Sequence, residues 1–231
     1  MQDIETGYAD FQNKHQYNER LMFIRKVYGI LSAQLLFTVL FNIIPMTSSA
    51  FRDWMFNNFW LAIVFGFLYF STAITLICCS DFAKKVPQNY IFLGIFTLSL
   101  SYLMAFITST TDPMTVFIAM VMTFGVTATV TAYAFFTKTD FTTLYGIMFG
   151  VLIGAIIFGI FMGMFYHSKA MNLVFCLIFI IIYTVYIVID TQAIAGGRRY
   201  SVSTEDYILG ALMLYVDIIM LFIYLLRFLR N

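Results

Sequence analysis

Charged side chains are scarce in this sequence. Only 11% of its 231 residues are Asp, Glu, Lys or Arg, whereas 61% are hydrophobic. A soluble domain carries about 25% charged residues, so the shortage excludes a soluble globular protein and predicts an integral membrane protein. The formal net charge of +1 provides no basic surface, and no nucleic-acid partner is expected.

Recognisable enzyme motifs are also absent. The sequence contains no H-E-x-x-H, no G-x-S-x-G and no glycine-rich phosphate loop. Its two histidines lie in polar segments, and its three cysteines lie in or beside apolar runs, so neither set predicts a metal centre or a disulfide framework. The chain is therefore predicted not to be an enzyme and to need no cofactor.

Long apolar runs dominate what remains. Each is close to the ~20 residues that an α-helix needs to cross a bilayer. The linkers are short, so consecutive helices should be antiparallel neighbours in an all-α bundle. We predict a seven-helix transmembrane domain over residues 27–226, a polar N-terminal segment 1–26 and a short basic tail 227–231. The predicted spans are 27–44, 60–79, 89–109, 114–136, 144–165, 171–195 and 208–226.

The basic residues predict the orientation. With seven spans, the N-terminus and the even-numbered loops hold nine Lys and Arg, and the opposite side holds four. Lys and Arg accumulate on the cytoplasmic side of membrane proteins, so the N-terminus is predicted to be cytosolic. If the last run were re-entrant, the ratio would be eleven to two. The nineteen unbroken residues of the last run instead favour a helix that crosses the whole membrane.

The fifth span contains a ladder of glycines. Gly146, Gly150 and Gly154 are spaced by four and share one helix face, where another helix can approach closely. Two interpretations remain open: packing inside the bundle, or the contact face of a homo-oligomer.

The last run, residues 208–226, contains one charged residue, Asp217, near its midpoint. An ionised Asp at the centre of a membrane helix costs at least ~2.5 kcal/mol on insertion scales. Asp217 should therefore face protein or water, carry a proton or have a partner. The preceding run supplies Asp190, five residues before the end that Gly196-Gly197 predicts for its helix.

Helices packed 8–10 Å apart could bring these two carboxyls together. Two adjacent carboxylates at low dielectric resist simultaneous ionisation, so Asp190 and Asp217 could share one proton. When both ionise, their oxygens could transiently bind a hard cation such as Ca²⁺. Glu205 and Asp206, at the entry to the last helix, are candidates for the ion path or, alternatively, a solvated helix N-terminus.

At these residues the chain resembles the transmembrane Bax inhibitor motif family, in particular its lifeguard and Golgi anti-apoptotic branches. The resemblance covers residues 20–231 and depends mainly on the stretches 186–192 (YIVIDTQ) and 214–222 (LYVDIIMLF). It implies six helices around the C-terminal one. It also implies a pH-sensitive Ca²⁺ leak in the endoplasmic reticulum or Golgi membrane, with suppression of apoptosis. Asp190 and Asp217 would be the pH-sensing pair, and Glu205 would serve ion passage.

The sequence departs from that family in one instructive way. The arginine that partners the aspartate pair in bacterial relatives has no counterpart, because the second span contains no basic residue. A proton shared by the pair is therefore the expected closed state.

Two other functions remain as alternatives. The chain could be a non-conducting scaffold that binds apoptosis regulators or calcium-release channels through its N-terminal 26 residues. An intramembrane aspartyl protease also uses two membrane aspartates, but its G-x-G-D element is absent around Asp217.

Overall fold

The computed structural model describes residues 2–78, 83–165 and 168–230, and the side chains of 14–78, 83–161 and 168–230. Within those ranges all regular structure is helical. One 3₁₀ turn, Phe141–Leu144, precedes α6. The α-helices are α1 (Gln2–Thr47), α2 (Ser49–Asn57), α3 (Trp60–Cys78), α4 (Gln88–Thr108), α5 (Pro113–Phe136), α6 (Tyr145–Phe165), α7 (Lys169–Ala195) and α8 (Tyr207–Arg230).

Seven of these helices, all except α2, are long and apolar enough to cross a membrane. The predicted all-α, seven-span membrane fold is confirmed. Polar residues 2–26 continue into the first span as one helix, and α8 extends through Arg227 to Arg230. Pro45 was expected to close the first span, but α1 runs two residues further, to Thr47. The proline lies close enough to the C-terminus for the last turn to form around it.

A short helix that the apolar runs did not predict, α2, follows α1. Ser48 caps its N-terminus by accepting a hydrogen bond from the Phe51 backbone N–H at 3.3 Å. Met55 on its inner face is fully buried beside Tyr102 and Ala105 of α4, while Trp54 remains exposed. A nine-residue amphipathic helix of this kind suits the membrane surface rather than the hydrocarbon.

The C-terminal helix α8 is the most buried of the seven spans. It packs mainly against α7, α1 and α5, and to a lesser extent against α3 and α4. At Gly210, an added Cβ would lie 3.3 Å from Val27 of α1 and 3.4 Å from Ile194 of α7, so the missing side chain allows these helices to approach. However, α6 packs on α7 and the 3₁₀ turn, so a ring of six helices around α8 is not confirmed.

The glycine ladder on α6 does not pack inside the bundle. A Cβ added at Gly146, Gly150 or Gly154 would meet no atom within 4 Å, whereas one at Gly159 would collide with the ring of Phe175. The interpretation that the first three glycines admit a neighbouring helix of the same chain is therefore wrong. The homo-oligomer interpretation stays a prediction.

Candidate functional site: a buried carboxyl pair

The structure brings the two membrane aspartates together. Asp190 lies on the last two turns of α7 and Asp217 near the middle of α8, the pair of helices with the most extensive contact. Their carboxyl groups lie close enough to interact directly with each other. Asp190 is 4% exposed and Asp217 6% exposed. Two adjacent carboxyls in a low-dielectric interior resist simultaneous ionisation, so the pair is suited to share one proton.

A third side chain completes the pair. Tyr145, the first residue of α6, donates a hydrogen bond from its hydroxyl to Oδ1 of Asp190. In the part of the chain that the structure describes, Oδ2 of Asp217 has no hydrogen-bond partner. Asp190 therefore has a hydrogen-bond donor in Tyr145, whereas one oxygen of Asp217 remains available to a proton or a cation.

Gln192 positions Tyr145 indirectly. Residues two apart on a helix point to different sides, so Gln192 faces away from Asp217 and towards the loop between α5 and α6. Its fully buried amide accepts a hydrogen bond from Phe141 N–H at 2.8 Å and donates one to the Thr139 carbonyl at 2.9 Å. These bonds fix the loop that leads directly into Tyr145.

Arg20 of α1 closes the end of α7. Its guanidinium donates to the carbonyls of Ala193 at 2.6 Å, Ala195 at 3.2 Å and Val202 at 2.6 Å. Carbonyls at a helix C-terminus lack intrahelical donors and carry partial negative charge, so a cation there satisfies and stabilises them. Gly196 ends the helix with a φ of +80°, as the Gly-Gly pair predicted.

Glu205 and Asp206 lie elsewhere. Both carboxylates pair with Lys84, at 3.1 Å and 3.5 Å, and so join the α7–α8 connection to the α3–α4 connection. The hydrogen bond that Lys84 donates to Glu205 is the main cause of a raised pKa of Lys84. Asp206 precedes Asp217 by eleven residues, about 16 Å along a helix, so the structure does not bring these acids to the buried pair.

The pair by itself does not amount to a resident metal centre. Among the described side chains, no group of three or more His, Cys, Asp or Glu is arranged to hold a metal ion. Ca²⁺ usually takes six to eight oxygen ligands, and two carboxylates supply at most four.

Sequence patterns missed two residues of this site. Tyr145 near a span end is typical of the aromatic belt at a membrane surface, yet its hydroxyl points inward to Asp190. Arg20 counted only as one of the charges that set the orientation. The one available signal was position, because Tyr145 lies at the start of the fifth predicted span, 144–165.

Comparison with known proteins identifies the family of this chain. Residues 20–231 match the family described as "Inhibitor of apoptosis-promoting Bax1". Protein lifeguard 3 of Mus musculus is 34% identical over 211 residues, 90% of this chain and 68% of that protein. Protein lifeguard 3 of Homo sapiens is 33% identical over 233 residues, 96% of this chain and 74% of that protein.

Protein lifeguard 4 of Mus musculus is 34% identical over 243 aligned positions, which cover all of this chain and 98% of that protein. The matched region includes all seven spans and every residue of the site described above. The chain therefore belongs to the Bax inhibitor family, whose members are multi-pass membrane regulators implicated in the inhibition of apoptosis.

Proposed function

We propose that this protein is a pH-sensitive Ca²⁺ leak channel of intracellular membranes, which lowers stored calcium and thereby suppresses apoptosis. The observation that carries the proposal is the pair Asp190–Asp217, two neighbouring carboxyls buried between two extensively packed membrane-spanning helices. Ionisable residues inside membrane spans are costly and usually mark ion or proton pathways.

The shared proton provides the gate. With one proton, the pair carries a single negative charge and holds α7 and α8 together through its hydrogen bond. Loss of that proton removes the hydrogen bond and places two negative charges side by side in a low-dielectric interior, where they repel strongly. The helices then separate locally, and the exposed oxygens attract Ca²⁺. Flux should therefore rise as pH rises.

Acidic residues at the surface indicate where the proposed ion pathway begins. Glu205 and Asp206 present carboxylates beside Lys84, on the same face of the bundle as the N-terminus of the first span. We assign them to the ion path as the entry at that face, with Lys84 as a counter-ion that an arriving cation displaces. The excess of Lys and Arg on this face supports a cytosolic N-terminus, and an endoplasmic reticulum or Golgi location is proposed with it.

The experiment is Ca²⁺ flux into liposomes that contain the purified chain, measured against pH. Asp217→Asn keeps the shape of the side chain but cannot form a doubly ionised pair, so the rise of flux with pH should disappear. Asp53→Asn is the matched control, because Asp53 is an exposed acid on α2. Unchanged flux and pH response in Asp217→Asn would refute the proposal.

A second function, a non-conducting scaffold, rests on α1. Residues 14–19 continue the helix and are exposed, so they offer a surface to another protein. Deleting residues 1–19 tests this role while leaving Arg20, which caps α7, in place. A scaffold would lose its protection of cells against death stimuli, whereas a channel would keep both protection and flux.

A further inference from the structure

A cavity of about 430 Å³ lies between α1, α4, α5 and α8. None of its lining residues belongs to α7, the helix that carries Asp190. Its lining is almost entirely apolar and includes no Asp, Glu, Lys or Arg. Small-molecule sites typically measure roughly 300–1,000 Å³ and are lined mainly by apolar side chains with a few polar groups. The size and surface of this cavity are those of a ligand site.

The cavity opens sideways, towards lipid. α1 and α5 each pack against α8 but make almost no direct contact with each other along their described residues. The edge of the opening carries side chains that are already exposed, such as Ile43, Val121 and Phe124. A ligand can therefore enter from the hydrocarbon without crossing water.

The length of the cavity matches one leaflet of a bilayer. Its lining extends from Leu35 to Met46 on α1 and from Val116 to Thr127 on α5. Each stretch is eleven helical steps, or about 17 Å at 1.5 Å per residue. The hydrocarbon core of a bilayer is ~30 Å thick, so one leaflet accounts for ~15 Å.

Five polar side chains line the cavity along its length, and two of them lie at the end nearer the membrane surface. Asn42 and Thr108, close to the C-terminal ends of α1 and α4, line the cavity and are buried. The Thr108 hydroxyl donates to Oδ1 of Asn42 at 2.9 Å, and the Asn42 amide donates to the Thr38 carbonyl at 2.7 Å. Oδ1 of Asn42 has a second lone pair, so it can accept from a ligand hydroxyl.

We propose that this cavity binds a neutral lipid with a single acyl chain, such as a monoacylglycerol, taken from the leaflet that faces α2. The hydroxyl-bearing head lies at Asn42 and Thr108, and the chain runs inward along α5 towards Thr127. The absence of lining charge disfavours a phosphate head.

Photolabelling in nanodiscs tests the proposal. The probe is a monoacylglycerol with an eighteen-carbon chain and a diazirine in that chain, and labelled peptides are mapped by mass spectrometry. We expect saturable labelling confined to residues 35–46 and 116–127, with competition by unlabelled monoacylglycerol at least 5-fold stronger than by a sterol or lysophosphatidylcholine. Labelling spread over lipid-facing α6, or stronger competition by either other lipid, would overturn it.

A matched pair of substitutions tests the direction of the chain. Thr127→Phe fills the inner end and should reduce labelling by the eighteen-carbon probe at least 5-fold while sparing an eight-carbon probe. Thr129→Phe is the control, since Thr129 is exposed on the same helix and does not line the cavity.

If Thr127→Phe does not yield monodisperse protein, the chain-length series on the unaltered protein decides the outcome. Affinity should rise with chain length and stop rising once the chain fills ~17 Å of helix. Affinity that is independent of chain length would contradict the assignment.

Discussion

Replacing Tyr145 with Phe removes one oxygen from the carboxyl site and changes little else. The lost hydroxyl donates to Oδ1 of Asp190 and so favours the ionised form of that carboxyl. Hydrogen bonds to charged groups contribute roughly 1.5–3 kcal/mol. Since one pH unit corresponds to about 1.36 kcal/mol, the midpoint of pH-dependent Ca²⁺ flux should move upward by about 1–2 pH units.

The assay is flux into liposomes over a pH series, fitted for midpoint and maximum separately. Tyr145→Phe should shift the midpoint and keep the maximum, because both aspartates are still present. Tyr102→Phe is the matched control: its hydroxyl is buried on α4 and has no hydrogen-bond partner among the described residues. An unchanged midpoint in Tyr145→Phe, or an equal shift in Tyr102→Phe, would show that Tyr145 does not support the charge on Asp190.

Two further predictions concern the loops that hold the site. Gly196→Ala should lower stability by about 1–2 kcal/mol, because Gly196 has a φ of +80° and a Cβ there would lie 2.6 Å from Nε of Arg20. Thermal unfolding in detergent measures it, with Gly29→Ala as a helical control that meets no neighbour. The hydrogen bond from the Thr142 hydroxyl is the main cause of a lowered pKa of Asp140. The ionised carboxylate of Asp140 therefore stabilises the fold above its ordinary pKa. This stabilisation is lost as the pH falls through the lowered pKa. Asp140→Asn should reduce the melting temperature at pH 7, and the difference should shrink as the pH falls below the ordinary value of 3.8 and vanish only below the lowered pKa. A change in the flux midpoint with Asp140→Asn would contradict its confinement to the loop.

The spans were predictable because the bilayer imposes a simple rule. A helix must satisfy its own backbone hydrogen bonds and present about twenty apolar residues to lipid, and both requirements are visible in sequence. Six of the seven predicted runs appear as helices within about four residues of the expected bounds, and the helix of the first run begins well before residue 27. The helix α2 was missed because it is short and amphipathic, which gives no long apolar run.

The pairing of the aspartates was only partly predictable. Each was identifiable because a carboxyl inside an apolar run needs a partner. Their contact also depends on an axial offset between helices. Asp190 lies ~8 Å from the end of α7 and Asp217 ~15 Å from the start of α8, so the two helices must be offset by roughly 7 Å. The packing of α7 against α8 sets that offset, and the spacing of residues in the sequence does not.

The glycine ladder is a pattern that the sequence alone could not interpret. Its four-residue spacing reads the same whether the glycines face a neighbouring helix or lipid, because small residues remove bulk in either case. Only the positions of the surrounding helices revealed that Gly146, Gly150 and Gly154 have open space beside them.

The sequence by itself determined the membrane class, the seven spans, the two acidic residues inside them and the family. These features depend on local composition and on the free-energy cost of placing polar groups in hydrocarbon. Both are properties of each segment by itself. The tertiary structure decided that Tyr145 reaches Asp190, that Arg20 caps α7, and that α1 and α5 leave a leaflet-long cavity beside α8. Those features depend on how far and at what offset separate helices approach, which is the sum of many weak contacts between distant parts of the chain.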